Sequence, residues 1–249
     1  SLTIDIDGDG TEDVLTLFSC NGGYVEAFGY NPFDRESSFV SITNRIPVGS
    51  DPRDIAVGDL NNDNYVDIAV ANGTDGTVSI LYNTGETPPN FCCAETITIN
   101  KADAVTSIGI LNFDVSSVSP KDLVVGVDRP GINVADGYQL LRNDGNGLAH
   151  DDFLPTGLIN INPPAPEGQG PDEEPEEIDL VGDPPVDIAI SPGLGAGSLD
   201  SFVGVTAYGQ LGSGVYNPYD RDGRFVYEDI FRSIDEDGYG IPLNGAKVI

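Results

Sequence analysis

Two nine-residue acidic segments, DIDGDGTED from Asp5 to Asp13 and DLNNDNYVD from Asp59 to Asp67, carry oxygen-bearing side chains at alternate places. In the first, the odd places are Asp5, Asp7, Asp9, Thr11 and Asp13; in the second they are Asp59, Asn61, Asp63, Tyr65 and Asp67. Carboxylate or amide oxygens at places 1, 3 and 5, a backbone carbonyl at 7 and a carboxylate at 9 can wrap a short turn around one hard cation, which takes about six to eight oxygens at about 2.3 to 2.6 Å. The chemistry expected is calcium binding, with two Ca²⁺ sites. An EF-hand needs a bidentate Glu at place 12 and flanking helices, whereas place 12 here is Thr16 or Val70 and the flanks read as strands. The sixth place must turn with positive φ, and Gly10 and Asn64 are residue types that tolerate it.

The flanks that must hold such loops are short β-branched and aliphatic runs. The second loop sits between Asp54-Ile-Ala-Val-Gly58 and Asp67-Ile-Ala-Val-Ala71, a hairpin with the acidic loop as its turn, and strands follow near 76–83 and 91–99. The same four-strand order is expected at 2–4, 14–18, 24–30 and 39–43; at 105–110, 123–127, 138–142 and 153–159; and at 186–190, 202–208, 214–217 and 225–230. Ninth-place residues set the period: Asp13 to Asp67 is 54, Asp67 to Asp122 is 55, and Asp122 to Asp200 is 78. The excess in the last interval matches a 24-residue segment, 160–183, rich in Pro and Glu, too polar and too interrupted to pack. In the third loop Ile110 stands for the first Asp, leaving Asn112, Asp114 and Asp122, an eroded set from which a third calcium is not expected. Asp187 to Asp200 is 13 residues, as is Asp54 to Asp67, so Asp200 takes the ninth place of a fourth loop whose ligand places hold Pro192, Leu194 and Ala196 and which has lost its metal.

Hairpins of the form DIAVGDLNNDNYVDIAVAN followed by GTVSILYNTG closely resemble the FG-GAP and VCBS repeats of integrin-α-like calcium-binding β-propellers. The resemblance runs from residue 1 to about 230 and is clearest in the first two units. It implies four-stranded blades with calcium in the loop joining the two innermost strands. The fold expected is all-β, a β-propeller of four-stranded blades with four visible, near 1–45, 50–100, 103–160 and 184–230, the acidic insert lying between the last two. Recurring short strands with 31 Gly and 18 Pro to turn them agree with that architecture. Four blades is the lower limit for a propeller, so either the ring closes at four or a larger ring is completed by further sequence or another subunit. The tail 231–249, with an acidic Asp235-Glu-Asp237-Gly238 and an apolar end, is expected to dock on its own ring or on a neighbouring subunit.

With 11 basic residues against 41 acidic ones and a formal charge of −30, the surface repels nucleic acid and anionic lipid. No apolar run approaches the length of a membrane span, and the start at Ser1 without Met suggests a processed or trimmed secreted form. Millimolar extracellular calcium suits weak loops of this kind. Cys20 is expected to pair with Cys92 or Cys93, although three small buried thiols is an alternative reading. Asn72-Gly73-Thr74 is a glycosylation sequon in an expected surface loop. His150, expected in a Gly- and Asp-rich loop, is the only histidine, and no nucleophile with its base is marked, so an enzyme is not expected. The function expected is a calcium-stabilised extracellular structural or adhesive module that acts by binding or assembly, on other protein subunits or extracellular glycans, as a homopolymer in its sharper form. The alternative is a secreted polysaccharide-binding or polysaccharide-active protein.

Overall fold

The computed structural model describes residues 1–20, 22–30, 39–99, 102, 104–112, 120–129, 136–143, 145, 147–155, 185–191, 200–206, 210–216 and 225–232. The apolar runs are strands. β1 (Leu2–Ile4), β2 (Asp13–Phe18), β3 (Tyr24–Tyr30) and β4 (Phe39–Ser41) form one sheet in chain order, and β5 (Ile46–Pro47) also pairs with β3. β6 (Pro52–Gly58), β7 (Asp67–Asn72), β8 (Thr77–Asn83) and β9 (Phe91–Thr98) form the second. β10 (Ala104–Leu111), β11 (Asp122–Asp128), β12 (Gly137–Asn143) and β13 (Leu148–Pro155) form the third. β14 (Pro185–Ser191), β15 (Ser201–Thr206), β16 (Gln210–Tyr216) and β17 (Phe225–Arg232) form the fourth. Every pairing is antiparallel, and no helix occurs among the described residues.

Successive sheets pack against one another, β2 of the first against β6, and from there first strand to first strand, β6 against β10 and β10 against β14. A strand alternates its side chains between the two faces of its sheet, and the middle sheets are covered on both. In β7, Ile68 and Val70 join Ile6, Leu15, Val25 and Leu81 in the core shared with the first sheet. The intervening Ala69 and Ala71 join Ile108, Leu123 and Val125 in the core shared with the third. β11 repeats the arrangement, Val124 meeting Tyr138, Ile188 and Ile190 on its other face. Two-sided burial is why these strands read as continuous apolar runs rather than as an alternation.

Glycine governs the closest approaches. A Cβ on Gly58 would stand 2.9 Å from Ile110 Cγ2 of the next sheet. Overpacking a filled core typically costs about 1 to 3 kcal/mol, so Gly58→Val should lower the melting temperature by roughly 3 to 10 °C in a domain of this size. Thermal denaturation followed by circular dichroism checks this, and an unchanged transition would mean that the two sheets slide apart freely.

Three expectations are corrected. Asn72 is the last residue of β7 and fully buried, with Nδ2 donating to Thr77 Oγ1 and Ser79 Oγ at 3.0 and 2.9 Å. A glycan on that nitrogen would have to break both bonds and displace Gly49, so the sequon is not a surface loop. Neither Cys20 nor Cys92 is in a disulfide; both are exposed, and the Cys20 thiol faces Tyr24 Oη at 4.0 Å. His150 stands in β13 opposite Leu141 rather than in a loop. β13 also starts five residues before the expected 153, because Gly145 and Gly147, both with positive φ, turn β12 back at once. The acidic insert 160–183 and the tail from 233 lie outside the described residues.

Candidate metal centre

The first acidic loop joins β1 to β2 with Ile4 opposite Asp13, and the second joins β6 to β7 with Gly58 opposite Asp67. Their backbones are alike. Left-handed residues fall at places 4 and 6 in both: Gly8 (φ 76) and Gly10 (φ 88), and Asn62 (φ 63) and Asn64 (φ 69). The sixth was expected; the fourth was not, although Gly and Asn there were a readable signal.

Side-chain oxygens hold the two loops in matching ladders. The carboxylate at place 1 accepts the N–H of place 6, Gly10 onto Asp5 and Asn64 onto Asp59, both at 2.9 Å. Place 3 accepts from place 5, Asp9 N–H onto Asp7 and Asp63 N–H onto Asn61, both at 3.0 Å. Place 5 accepts from place 7, Thr11 N–H onto Asp9 at 2.7 Å and Tyr65 N–H onto Asp63 at 2.8 Å. Place 9 accepts from place 2, Ile6 N–H onto Asp13 at 3.0 Å and Leu60 N–H onto Asp67 at 2.8 Å. The side-chain oxygens are thereby tied to the loop backbone in the same frame in both loops.

In the first loop the carboxylates of Asp5, Asp7 and Asp13 converge, each offering an oxygen within 4.8 Å of the others. Asp9 is turned toward Thr11, whose hydroxyl and amide hold its carboxyl below the usual range. Burial pushes Asp13 up, with Asp7, Asp9 and Asp5 adding repulsion. In the second loop Asp63 Oδ2 is taken by the Asn61 amide at 2.9 Å, and Asp59, Asp63 and Asp67 do not converge as the first triad does. Asp67 is fully buried, and desolvation, reinforced by Asp63 and Asp59, lifts it to about 6 despite the amides of Asn83 and Leu60. Tyr65 leaves its ring exposed against Gly85. An all-oxygen set with carboxylates whose charge is uncompensated suits a hard divalent cation and not a thiophilic one.

Strand register corrects the alignment of the later loops. Leu111 pairs with Asp122 as Gly58 pairs with Asp67, so Asn112 occupies place 1 rather than place 3, and the loop carries two extra residues. Asp114 lies outside the described residues. In the fourth sheet the bulge between Pro185 and Asp187 matches that between Pro52 and Asp54, which puts Ser191 at Gly58 and Ser201 at Asp67. Asp200 therefore stands at place 8. A seam bond agrees: Lys121 N–H donates to the Asp59 carbonyl and Asp200 N–H to the Asn112 carbonyl, place 8 to place 1 in each case. Asp200 instead clips the third loop, its carboxylate accepting Asn112 N–H at 2.8 Å with Lys121 Nζ 3.9 Å away.

A cavity of about 500 Å³ opens between the first two sheets, lined by Ser41, Thr43, Asn44, Glu86, Pro88 and Asn90 among others. Its lining among the described residues includes no Tyr or Asp.

Residues 5–70 match the FG-GAP-like repeat, and the match covers both acidic loops. No curated protein matches the chain. Among solved structures, the crystal structure of BBS1N in complex with ARL6DN, soaked with lead, aligns with 93% of this chain at 13% identity and a TM-score of 0.47, and this chain spans 56% of that one.

Proposed function

From a chain that carries an FG-GAP-like repeat, we propose a calcium-stabilised extracellular β-propeller module that works by binding or assembly and not by catalysis. The four sheets are its blades. The observation that carries the reading is the convergence of Asp5, Asp7 and Asp13 in a loop whose hydrogen-bonded frame recurs at 59–67. Asp5, Asp7, Asp9, the Thr11 carbonyl and Asp13 would hold one Ca²⁺; Asp59, Asn61, Asp63, the Tyr65 carbonyl and Asp67 would hold the other. Bound calcium supplies charge: it neutralises carboxylates that otherwise repel across a few ångströms. Sites of this type bind at about 10⁻⁴ to 10⁻³ M in extracellular modules, which fits a secreted protein.

Assembly is supported by the outer edge of the first sheet. β4 is exposed along its length, and Phe39, Val40 and the neighbouring Tyr30 offer large apolar groups to solvent, with the Tyr30 and Phe39 rings 5.8 Å apart. An edge strand of this kind accepts a strand from another chain, so the sharper reading is a protomer of an extracellular filament. Equilibrium dialysis against calcium should find two ions per chain, and light scattering should show growth beyond a monomer as protein concentration rises. No bound calcium overturns the module; a monomer at high concentration with calcium present overturns the filament alone.

A further inference from the structure

Asn83 ends β8 two residues past Leu81, which pairs with Ile68, and Asn143 ends β12 two residues past Leu141, which pairs with Leu123, so the two occupy one position in successive sheets. Each binds the buried ninth-place Asp of its own sheet and a loop of the sheet before. Asn83 N–H donates to Asp67 Oδ1 at 2.9 Å, and its Nδ2 reaches the Ile6 carbonyl at 3.4 Å, 77 residues away. Asn143 N–H donates to Asp122 Oδ1 at 2.7 Å, and its Nδ2 reaches the Leu60 carbonyl at 2.8 Å. Ile6 and Leu60 are the second-place residues, flanked by ligands of the loop on either side, and their own N–H groups are held by Asp13 and Asp67.

These bonds join into one chain: Asp13, Ile6, Asn83, Asp67, Leu60, Asn143, Asp122. All members are buried, none more than 4% exposed. The same register position holds Tyr30 in the first sheet and Tyr216 in the fourth. Tyr30 is 47% exposed. The relay thus belongs to the seams that flank the second acidic loop, and it starts at the first.

We infer that Asn83 is a positioning residue that couples the two acidic loops, so that filling one raises the calcium affinity of the other. The inference rests on the calcium reading above. The physical route is short. Gathering Asp59, Asn61, Asp63 and Asp67 around one ion fixes Asp67; Asp67 fixes the Asn83 backbone; and the Asn83 amide then holds the Ile6 carbonyl between Asp5 and Asp7. The ordering cost of the first loop is partly met before its own ion arrives, which is positive coupling.

The test is calcium titration by calorimetry on the full chain. Disabling the second loop with Asp59→Asn and Asp63→Asn leaves Asp67 in place and should weaken the first site about 5- to 10-fold, a usual size for coupling between sites. In an Asn83→Leu background the same loop changes should make no further difference. Asn83→Asp is a second version: it keeps the size and the backbone N–H, and once ionised it has no proton to donate to the Ile6 carbonyl. A first-site affinity that is indifferent to the second loop in the wild-type Asn83 background overturns the coupling, with no demand on any Asn83 variant. Absence of calcium binding to the unaltered chain overturns the calcium reading itself.

Discussion

Removing calcium is expected to lower the melting temperature by about 10 to 20 °C. At 10 mM calcium, a site with a dissociation constant near 10⁻⁴ M, the tight end for extracellular modules, adds about 2.7 kcal/mol to the folded state. Two such sites add about 5 kcal/mol, and a domain of this size moves about 2 to 4 °C per kcal/mol. The comparison is between calcium and EGTA at matched ionic strength, because a chain with a formal charge of −30 is also stabilised by plain screening. Asp7→Asn with Asp9→Asn should remove at least half of the shift, the share of the first ion plus whatever the second site loses through the coupling. A melting temperature unmoved by EGTA would sink the calcium reading of both loops.

What made the fold legible was the contrast between two-faced strands and their turns. Ile68-Ala-Val-Ala71 and Leu123-Val-Val125 are continuous apolar runs because each lies between two packed sheets. Their spacing put the four sheets in the right stretches of chain. Counting failed wherever a loop had changed length. The interval from Asp187 to Asp200 equals that from Asp54 to Asp67, yet the pairing of Ser191 with Ser201 reveals one added residue and moves Asp200 off the ninth place. Equal spacing cannot distinguish a preserved loop from one that gained a residue; hydrogen-bond register can. The start of β13 was missed for a related reason. Leu148-Ala-His-Asp-Asp152 is too polar to read as a strand, but the hairpin turn at Gly145 and Gly147 commits it to pair with β12.

The candidate site divides along the same line. Ligand types at alternate places are a local pattern, so Asp5 through Asp13 and Asp59 through Asp67 could be read directly. Their support is not local. Asn83 lies 77 residues from Ile6, and nothing in Tyr82-Asn83-Thr84 announces that one amide serves two loops. Asn72 shows the converse error: Asn-Gly-Thr reads as a surface turn, whereas β7 runs through Asn72 and buries it. Short polar residues at sheet ends carry little sequence signal because turn, cap and buried latch all use the same side chains.

The cost of Asp67→Asn is expected to depend on calcium, small without the metal and large with it. Without metal, the Asp67 carboxyl titrates at about 6 instead of 3.8, because burial disfavours its charge more than two backbone amides favour it. A raised folded-state value means that the protonated form stabilises the fold: this contribution is complete below about 4 and is lost as pH rises through about 6. In EGTA, therefore, wild-type protein should melt higher at pH 5 than at pH 7, and Asp67→Asn should flatten that slope. At pH 7 in EGTA the variant trades a buried charge for one lost hydrogen bond, worth about 1 to 3 kcal/mol, and should melt within a few degrees of wild type. In 10 mM calcium it forfeits the second site and should fall behind by about 5 to 10 °C, the share of one ion. The pH slope of the wild type should also reverse there, since protons now compete with calcium for the carboxylate. An equal deficit in calcium and in EGTA would show that Asp67 is a structural acceptor for Leu60 and Asn83 and nothing more.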